Sequence, residues 1–216
     1  MCHCFGKTDK TEIEFTDIGG NKVEYRVLII GKTGSGKSST GNSILGASFF
    51  KVSVGVGSAT KHAELAEDVT RTYKVVDTAD VSEMEEEAAK NEVQQWKALT
   101  SPHPTAILLV VRADVTFTST EYDAYRQTKE LLGQQLCDNL IVVFTMADRL
   151  IMDTEHTFEK ELEDPEGELQ QVVQQEAGGR YVLFDNTATD VDRFRQVQRL
   201  FDFIADVSRS PQPRNR

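Results

Sequence analysis

Residues Val23 to Leu45 read VEYRVLII, GKTGSGKS and STGNSIL: an apolar run, a glycine-rich turn and a helix-compatible segment. The turn, Gly31 to Ser38, fits G-x-x-x-x-G-K-S/T at every fixed position. At average residue usage roughly one chain in a hundred of this length would match by chance, and the flanking strand and helix patterns lower that further. Glycines at 31, 34 and 36 let the backbone curl so that successive N–H groups point inward at phosphate oxygens. Lys37 falls at the start of a helix, where free N–H groups and the dipole favour anions and an ammonium can reach the β- and γ-phosphates. The Ser38 hydroxyl is placed to ligate Mg²⁺. Gly31, Lys32, Thr33, Gly34, Ser35, Gly36, Lys37, Ser38 and Ser39 are therefore the candidate phosphate-binding residues of a nucleotide site.

Outward from this stretch, apolar runs alternate with helical patterns. Thr105–Val111 (TAILLVV) and Asn139–Thr145 (NLIVVFT) are continuous apolar runs, as expected of strands covered on both faces. Lys61–Asp68 and Thr70–Val76 read as a second and third strand and Arg180–Phe184 as a last short one. Ser82–Leu99 reads as a helix with Met84, Ala88, Val93 and Trp96 inward and its acids outward. Thr120–Leu132 reads as a helix capped by Ser119 or Thr120, Thr154–Glu176 as an acidic helix broken near Asp164-Pro165, and Asp190–Ser208 as a final amphipathic one. The pattern predicts an α/β fold with a mostly parallel central sheet and helices on both faces. Ligands of such sheets bind beyond the carboxyl ends of the strands.

Composition narrows the function. The chain has 216 residues and a formal charge of −11, which excludes a bare nucleic-acid surface. Three cysteines, Cys2, Cys4 and Cys137, and no signal-peptide pattern argue for a reducing, cytoplasmic setting. No apolar run approaches the roughly 18 residues that a membrane span needs. Residues 1–21 read as a tail with a weak edge strand over Thr11–Asp17, residues 22–208 as the folded domain, and 209–216 as a disordered basic end. S-acylation of Cys2 and Cys4 is the functional alternative to a plain tail and would give peripheral membrane association.

The other candidate residues lie at strand ends. Asp77, closing the third strand, can hold Mg²⁺ through water as the acidic partner of Ser38. Thr60, in the loop after the first helix, is the candidate switch threonine that completes the Mg²⁺ shell when a γ-phosphate is present, with Ser58 as its competitor. Lys37, Ser38 and Thr60 are the candidates for catalysis, Lys37 and the metal stabilising charge that develops as water attacks the γ-phosphate. Thr145-Met146-Ala147-Asp148 puts a carboxylate where it can accept both guanine N–H groups, and Asn186 can approach the base from the other side. Adenine would leave that carboxylate unpaired. A small-molecule P-loop kinase shares the turn, but the chain has no arginine-rich lid.

With these positions assembled, the sequence resembles the GTPases of immunity-associated proteins, the GIMAP family, within the septin/Toc group of P-loop GTPases. The resemblance rests on GKTGSGKSSTGNSILG (Gly31–Gly46), SAT (Ser58–Thr60), SPHPTAILLVVR (Ser101–Arg112), IVVFTMADRL (Ile141–Leu150) and GGRYVLFDN (Gly178–Asn186), and covers about residues 22 to 207. It implies a Ras-like P-loop G domain that binds GTP and GDP with Mg²⁺, turns GTP over slowly or not at all when isolated, and forms homodimers or oligomers through the G domain, often at membranes. A scaffold that binds GTP without hydrolysing it is the alternative. The chain departs from the family where D-T-P-G usually stands, with Asp77-Thr78-Ala79-Asp80. Asp80 adds a side chain and a negative charge facing a polyanion, so either the loop swings away or γ-phosphate sensing is weakened. Val81 leaves no glutamine to orient a water, and Arg112 is the loose candidate for an intrinsic arginine finger. Met146-Ala147 lacks the lysine usual before the guanine-reading Asp148.

Overall fold

The computed structural model describes residues 24–52, 60–69, 72–133, 138–152 and 158–209. The expectations for the N-terminal tail, Cys2, Cys4, Cys137 and Ser58 lie outside the described residues. In chain order the elements are β1 (Tyr25–Ile30), α1 (Lys37–Leu45), β2 (Glu64–Glu67), β3 (Tyr73–Asp77), α2 (Glu86–Leu99), β4 (Ala106–Arg112), α3 (Ser119–Leu132), β5 (Leu140–Thr145), α4 (Phe158–Glu163), α5 (Glu168–Gln170), β6 (Tyr181–Phe184) and α6 (Asp190–Arg209). Short 3₁₀ turns occupy Val81–Glu83 and Ala147–Met152, and α5 runs on as a π-helical segment, Gln171–Glu176. The six strands form one sheet in the order β2-β3-β1-β4-β5-β6.

Alternation of side chains across the sheet explains the apolar runs. Leu28 and Ile30 of β1 pack on one face with Val93 and Trp96 of α2 and Tyr125 of α3. Val27 and Ile29 pack on the other with Ile44 of α1 and Leu200 and Ile204 of α6. Each central strand thus buries both sides along a continuous apolar run, with Arg26, Arg112 and Thr145 confined to positions at or next to strand ends. All neighbouring strands are parallel except β2, which pairs antiparallel with β3 at the sheet edge. That edge strand is only four residues long and leaves Leu65 exposed. The reading of Lys61–Asp68 as a strand was therefore too long.

The helix after β3 also differs from its reading. Val81–Glu83 is a 3₁₀ turn and α2 begins only at Glu86. Its buried face carries Ala89, Glu92, Val93 and Trp96, while Ala88 is exposed. Glu92 is turned inward because three donors converge on it: Ala63 N–H (2.6 Å), Trp96 Nε1–H (3.1 Å) and the His62 ring (3.3 Å). Glu92 so fastens the segment just after Thr60 to α2. Glu92→Leu is expected to leave two buried N–H donors without an acceptor, at about 1–3 kcal/mol each. Urea unfolding should show the loss, and a midpoint equal to the wild type's would contradict it.

The first turn of α3 is capped by Thr118, whose side chain and the Glu121 carboxylate form a reciprocal capping box, rather than by Ser119 or Thr120. The expected interruption near Asp164-Pro165 falls between α4 and α5. Among the described residues no helix is long and apolar enough to cross a membrane.

Candidate functional site

The connections out of β1 and β4, neighbours at the sheet centre, leave in opposite directions, β1 towards β3 and β4 towards β5. The glycine-rich turn fills the crevice this creates at the strands' carboxyl ends. Gly31 has φ 140°, and a Cβ there would lie 2.4 Å from the Val110 carbonyl oxygen. Only glycine lets the turn leave β1 so close to β4. At the other end α1 starts without a side-chain cap and without an acidic residue in its first turn. Its leading N–H groups are thus left for an anion.

Lys37 is 7 % exposed. Its Nζ donates to the carbonyls of Gly31 (2.7 Å) and Lys32 (2.9 Å), closing the loop around the ammonium. Burial pulls its pKa below the usual lysine range, and the carboxylates of Asp80, Asp77 and Glu83 pull it back up. A polyanion at this loop would supply the counter-charge that burial removes.

Beside the lysine three oxygens meet. Ser38 Oγ donates to Asp77 Oδ2 at 2.6 Å, Thr60 Oγ1 donates to the same oxygen at 2.9 Å, and the two hydroxyls are 3.2 Å apart. Asp77 is fully buried and its Oδ1 makes no hydrogen bond. Burial raises its pKa above the ordinary aspartate value, opposed by the two hydroxyls and by Lys37. An orphaned carboxylate oxygen beside two hydroxyls is a donor set that suits a hard divalent cation such as Mg²⁺, which takes few protein ligands and completes its shell with phosphate oxygens and water. No cluster of three acidic, histidine or cysteine side chains exists among the described residues that would hold a metal without such help.

The two residues expected to read the base stand at the ends of adjacent strands. Thr145 of β5 pairs in register with Phe184 of β6, and Asp148 and Asn186 follow three and two residues later. Asp148 is exposed in the 3₁₀ turn. Met146, just before it, adopts a left-handed φ of 59°, rare for a side chain of this size. Asn186 does not point freely outward: its Oδ1 accepts from Ser43 Oγ (3.0 Å) and its Nδ2 donates to Thr40 Oγ1 (3.3 Å), both on α1. The loop after β6 is thereby held to the helix that begins at the glycine-rich turn.

Asp80 has not swung away. It is 7 % exposed, and its Oδ2 accepts from the Thr33 N–H of the glycine-rich turn at 2.8 Å. Its Oδ1 accepts from Ser82 N–H (3.0 Å) and Ser82 Oγ–H (2.6 Å), and Thr33 Oγ1 donates to Glu83 (3.2 Å).

A sequence profile of the AIG1 family matches residues 25–214. The chain belongs to the AIG1 family. Immune-associated nucleotide-binding protein 12 of Arabidopsis thaliana is 31% identical to this AIG1 chain over 196 residues, which cover 88% of the chain and 49% of the relative. GTPase IMAP family member 8 of Homo sapiens is 32% identical over 188 residues, covering 85% and 27% respectively. The chain thus spans about half the length of the plant relative and less of the human one. Among solved structures, a dimerization-deficient mutant of Toc33 from Arabidopsis thaliana superposes with a TM-score of 0.67 at 20% identity, over 88% of this chain and 86% of that one. Era in complex with MgGDPNP and ribosomal RNA superposes with a TM-score of 0.57 at 17% identity, over 90% and 59%. At these identities the likeness is one of fold: the AIG1 chain has the mixed, mostly parallel six-stranded sheet of the Toc33 and Era G domains.

Two features of the AIG1 site escape sequence reasoning. The first is Thr145, whose Oγ1 donates to the Ser35 carbonyl (2.6 Å) and approaches the Val111 carbonyl (3.2 Å). This hydroxyl ties the end of β5 to the glycine-rich turn, so the turn that carries Asp148 and the turn that carries Lys37 share one anchor. The only signal was a hydroxyl residue opening the T-x-x-D stretch. Thr145→Val leaves the Ser35 carbonyl without this donor, an expected cost of about 1–3 kcal/mol. Melting temperature and nucleotide affinity should fall together, and Thr145→Ser should restore both; an affinity unchanged in the valine variant would contradict the tie. The second is Asp114, which binds Arg112 through both oxygens (2.8 and 2.9 Å) and also takes Arg149 (3.0 Å). Arg112, the loose candidate for an arginine finger, is committed to this pair, which raises its own pKa and lowers that of Asp114.

Proposed function

We propose that this chain is a guanine-nucleotide-binding switch that takes GTP or GDP with Mg²⁺, hydrolyses GTP slowly and pairs with a second copy of itself in a nucleotide-dependent way. The observation that carries the reading is the meeting of Lys37, Ser38, Thr60 and Asp77 at a glycine-rich turn, an arrangement with one buried cation, two hydroxyls and one orphaned carboxylate oxygen. The turn and the α1 N–H groups would hold the phosphates, with Gly31 to Ser39 around them. Ser38, Thr60 and Asp77 would hold Mg²⁺, which when bound neutralises phosphate charge. Asp148 would accept the two guanine N–H groups, with Asn186 beside the base. Similar proteins support the same reading. A human relative is called a GTPase, Toc33 has been solved with GDP and Mg²⁺, and dimerization is important for the GTPase activity of Toc33 and Toc159 proteins. We place the folded unit at residues 22–208, working in the cytoplasm or at a membrane surface.

A second reading, a scaffold that holds guanine nucleotide without turning it over, is favoured by two observations. Val81 offers no group to orient a water, and Arg112 is engaged by Asp114. Two measurements separate the readings. The nucleotide released on denaturing purified protein is identified by chromatography, and single-turnover hydrolysis is followed at a protein concentration high enough to form dimers. Conversion of GTP to GDP within hours supports the switch; intact GTP at the end of the run supports the scaffold. Release of no guanine nucleotide, together with no uptake of added GDP, would overturn both.

A further inference from the structure

We infer that Asp80 is a built-in anion of the phosphate loop that sets the choice between nucleoside diphosphate and triphosphate: closed on Thr33 it leaves room for a diphosphate, and a triphosphate enters only when it opens. The inference rests on the nucleotide-binding reading above and deepens it.

Three observations carry it. The Thr33 N–H belongs to the turn whose amides are the natural donors to an anion, and it already donates to a carboxylate oxygen at 2.8 Å. That carboxylate is not a solvated acid that chance has brought near: it is 7 % exposed, and its second oxygen is fixed by two bonds to Ser82. A further contact from the same segment, Thr33 Oγ1 to Glu83, makes the closure a two-point latch. Of the three carboxylates whose charge acts on the Lys37 ammonium, that of Asp80 acts most strongly.

The consequence follows from charge. A third phosphate brought beside Lys37 meets a fixed negative group whose charge already acts on that lysine and which already holds a loop amide. Two anions crowded around one buried cation repel each other. A diphosphate ends one phosphoryl group short and does not compete for that place. A triphosphate must expel Asp80, and with it Ser82 and the Val81–Glu83 turn that leads into α2. The third phosphate is then sensed by release of a carboxylate.

The test uses the full chain with Mg²⁺ and two probes, GDP and the non-hydrolysable analogue GMPPNP, titrated calorimetrically into wild type, Asp80→Ala and Asp80→Asn. The ratio of GMPPNP to GDP affinity is expected to rise in Asp80→Ala by on the order of 10- to 100-fold. In Asp80→Asn, which loses the charge and keeps an acceptor for Thr33, it should rise by less. A ratio unchanged in both variants would overturn the inference. Should the alanine variant fail to fold, the asparagine variant decides alone, a ratio equal to wild type overturning it. A second readout needs no nucleotide: hydrogen exchange at the Thr33 amide is expected to be slow in the nucleotide-free wild type and at least about tenfold faster in Asp80→Ala. Fast exchange already in the wild type would mean that the latch does not close, whatever the affinities. Wild type that binds neither probe but protects Thr33 would sink the nucleotide reading, and the selectivity with it, while leaving the contact itself standing.

Discussion

Lys37→Met is expected to remove nucleotide binding while leaving the protein folded. The methionine keeps most of the aliphatic stem and fills the same buried space. What disappears is the ammonium, with its two bonds to the Gly31 and Lys32 carbonyls and its charge opposite the phosphates. Those carbonyls lie on a turn whose shape is also set by Gly31 against Val110 and by the Thr145 anchor on Ser35, so the loop has other supports. Burial already disfavours the charged lysine in the free protein, so its loss costs the apo state little. Truncating one partner of a buried charge pair typically weakens binding by about 2–5 kcal/mol, roughly 30-fold to several thousand-fold in Kd. Calorimetric titration with GDP and Mg²⁺, beside a melting curve, reads both halves. Binding within threefold of wild type would show that the anion does not contact Lys37.

Asp77→Asn separates metal dependence from stability. Its amide keeps an oxygen to accept from Ser38 and Thr60, so the local geometry has a reason to persist. What it loses is a charge whose burial outweighs the hydroxyls and Lys37 that favour it. Because the ionised carboxylate is disfavoured in the folded chain, its neutral replacement is expected to melt no lower than wild type in EDTA without nucleotide, at neutral pH. The wild type should be stabilised by Mg²⁺ together with GDP well beyond GDP alone, and the variant should not. A few degrees of Mg²⁺-dependent shift correspond to about 1 kcal/mol for a chain of this size. A variant that keeps the full shift would remove Asp77 from the metal site; one that melts far below wild type in EDTA would mean that the carboxylate is structural.

The parts of the fold that were legible are those in which local pattern and tertiary setting agree. The central strands β1, β4 and β5 announce themselves because both faces of each are covered, and the glycine-rich turn because its backbone admits few other residues. Ser38, Thr60 and Asp77, spread over forty residues, do converge on one oxygen. What stayed hidden depends on contacts far apart in the chain. A carboxylate on α2 reads as solvated until Ala63 N–H and Trp96 Nε1 are brought to it, so the helical pattern alone turns Glu92 outward and Ala88 inward. The edge strand β2 alternates too weakly to reveal its length or its antiparallel direction. Asp80 could be seen to break the family's pattern, but its partner, Thr33, lies 47 positions away. Asn186 was placed near the base by strand order alone, and its bonds to Thr40 and Ser43 give it a second task that no local pattern encodes.

The two turns held together by Thr145 are proposed to form one guanine-nucleotide site. Its most direct measurement is calorimetric titration of the nucleotide-free protein with GDP and with ADP, each with Mg²⁺ at the same ionic strength. A carboxylate that accepts both guanine N–H groups discriminates by at least about 100-fold in Kd, since sites built on such bonds reject analogues that lack them. GDP binding with ADP weaker by that margin is the predicted result. Equal affinities, or ADP the tighter of the two, would contradict the assignment of Asp148 and with it the reading of this chain as a guanine-nucleotide switch.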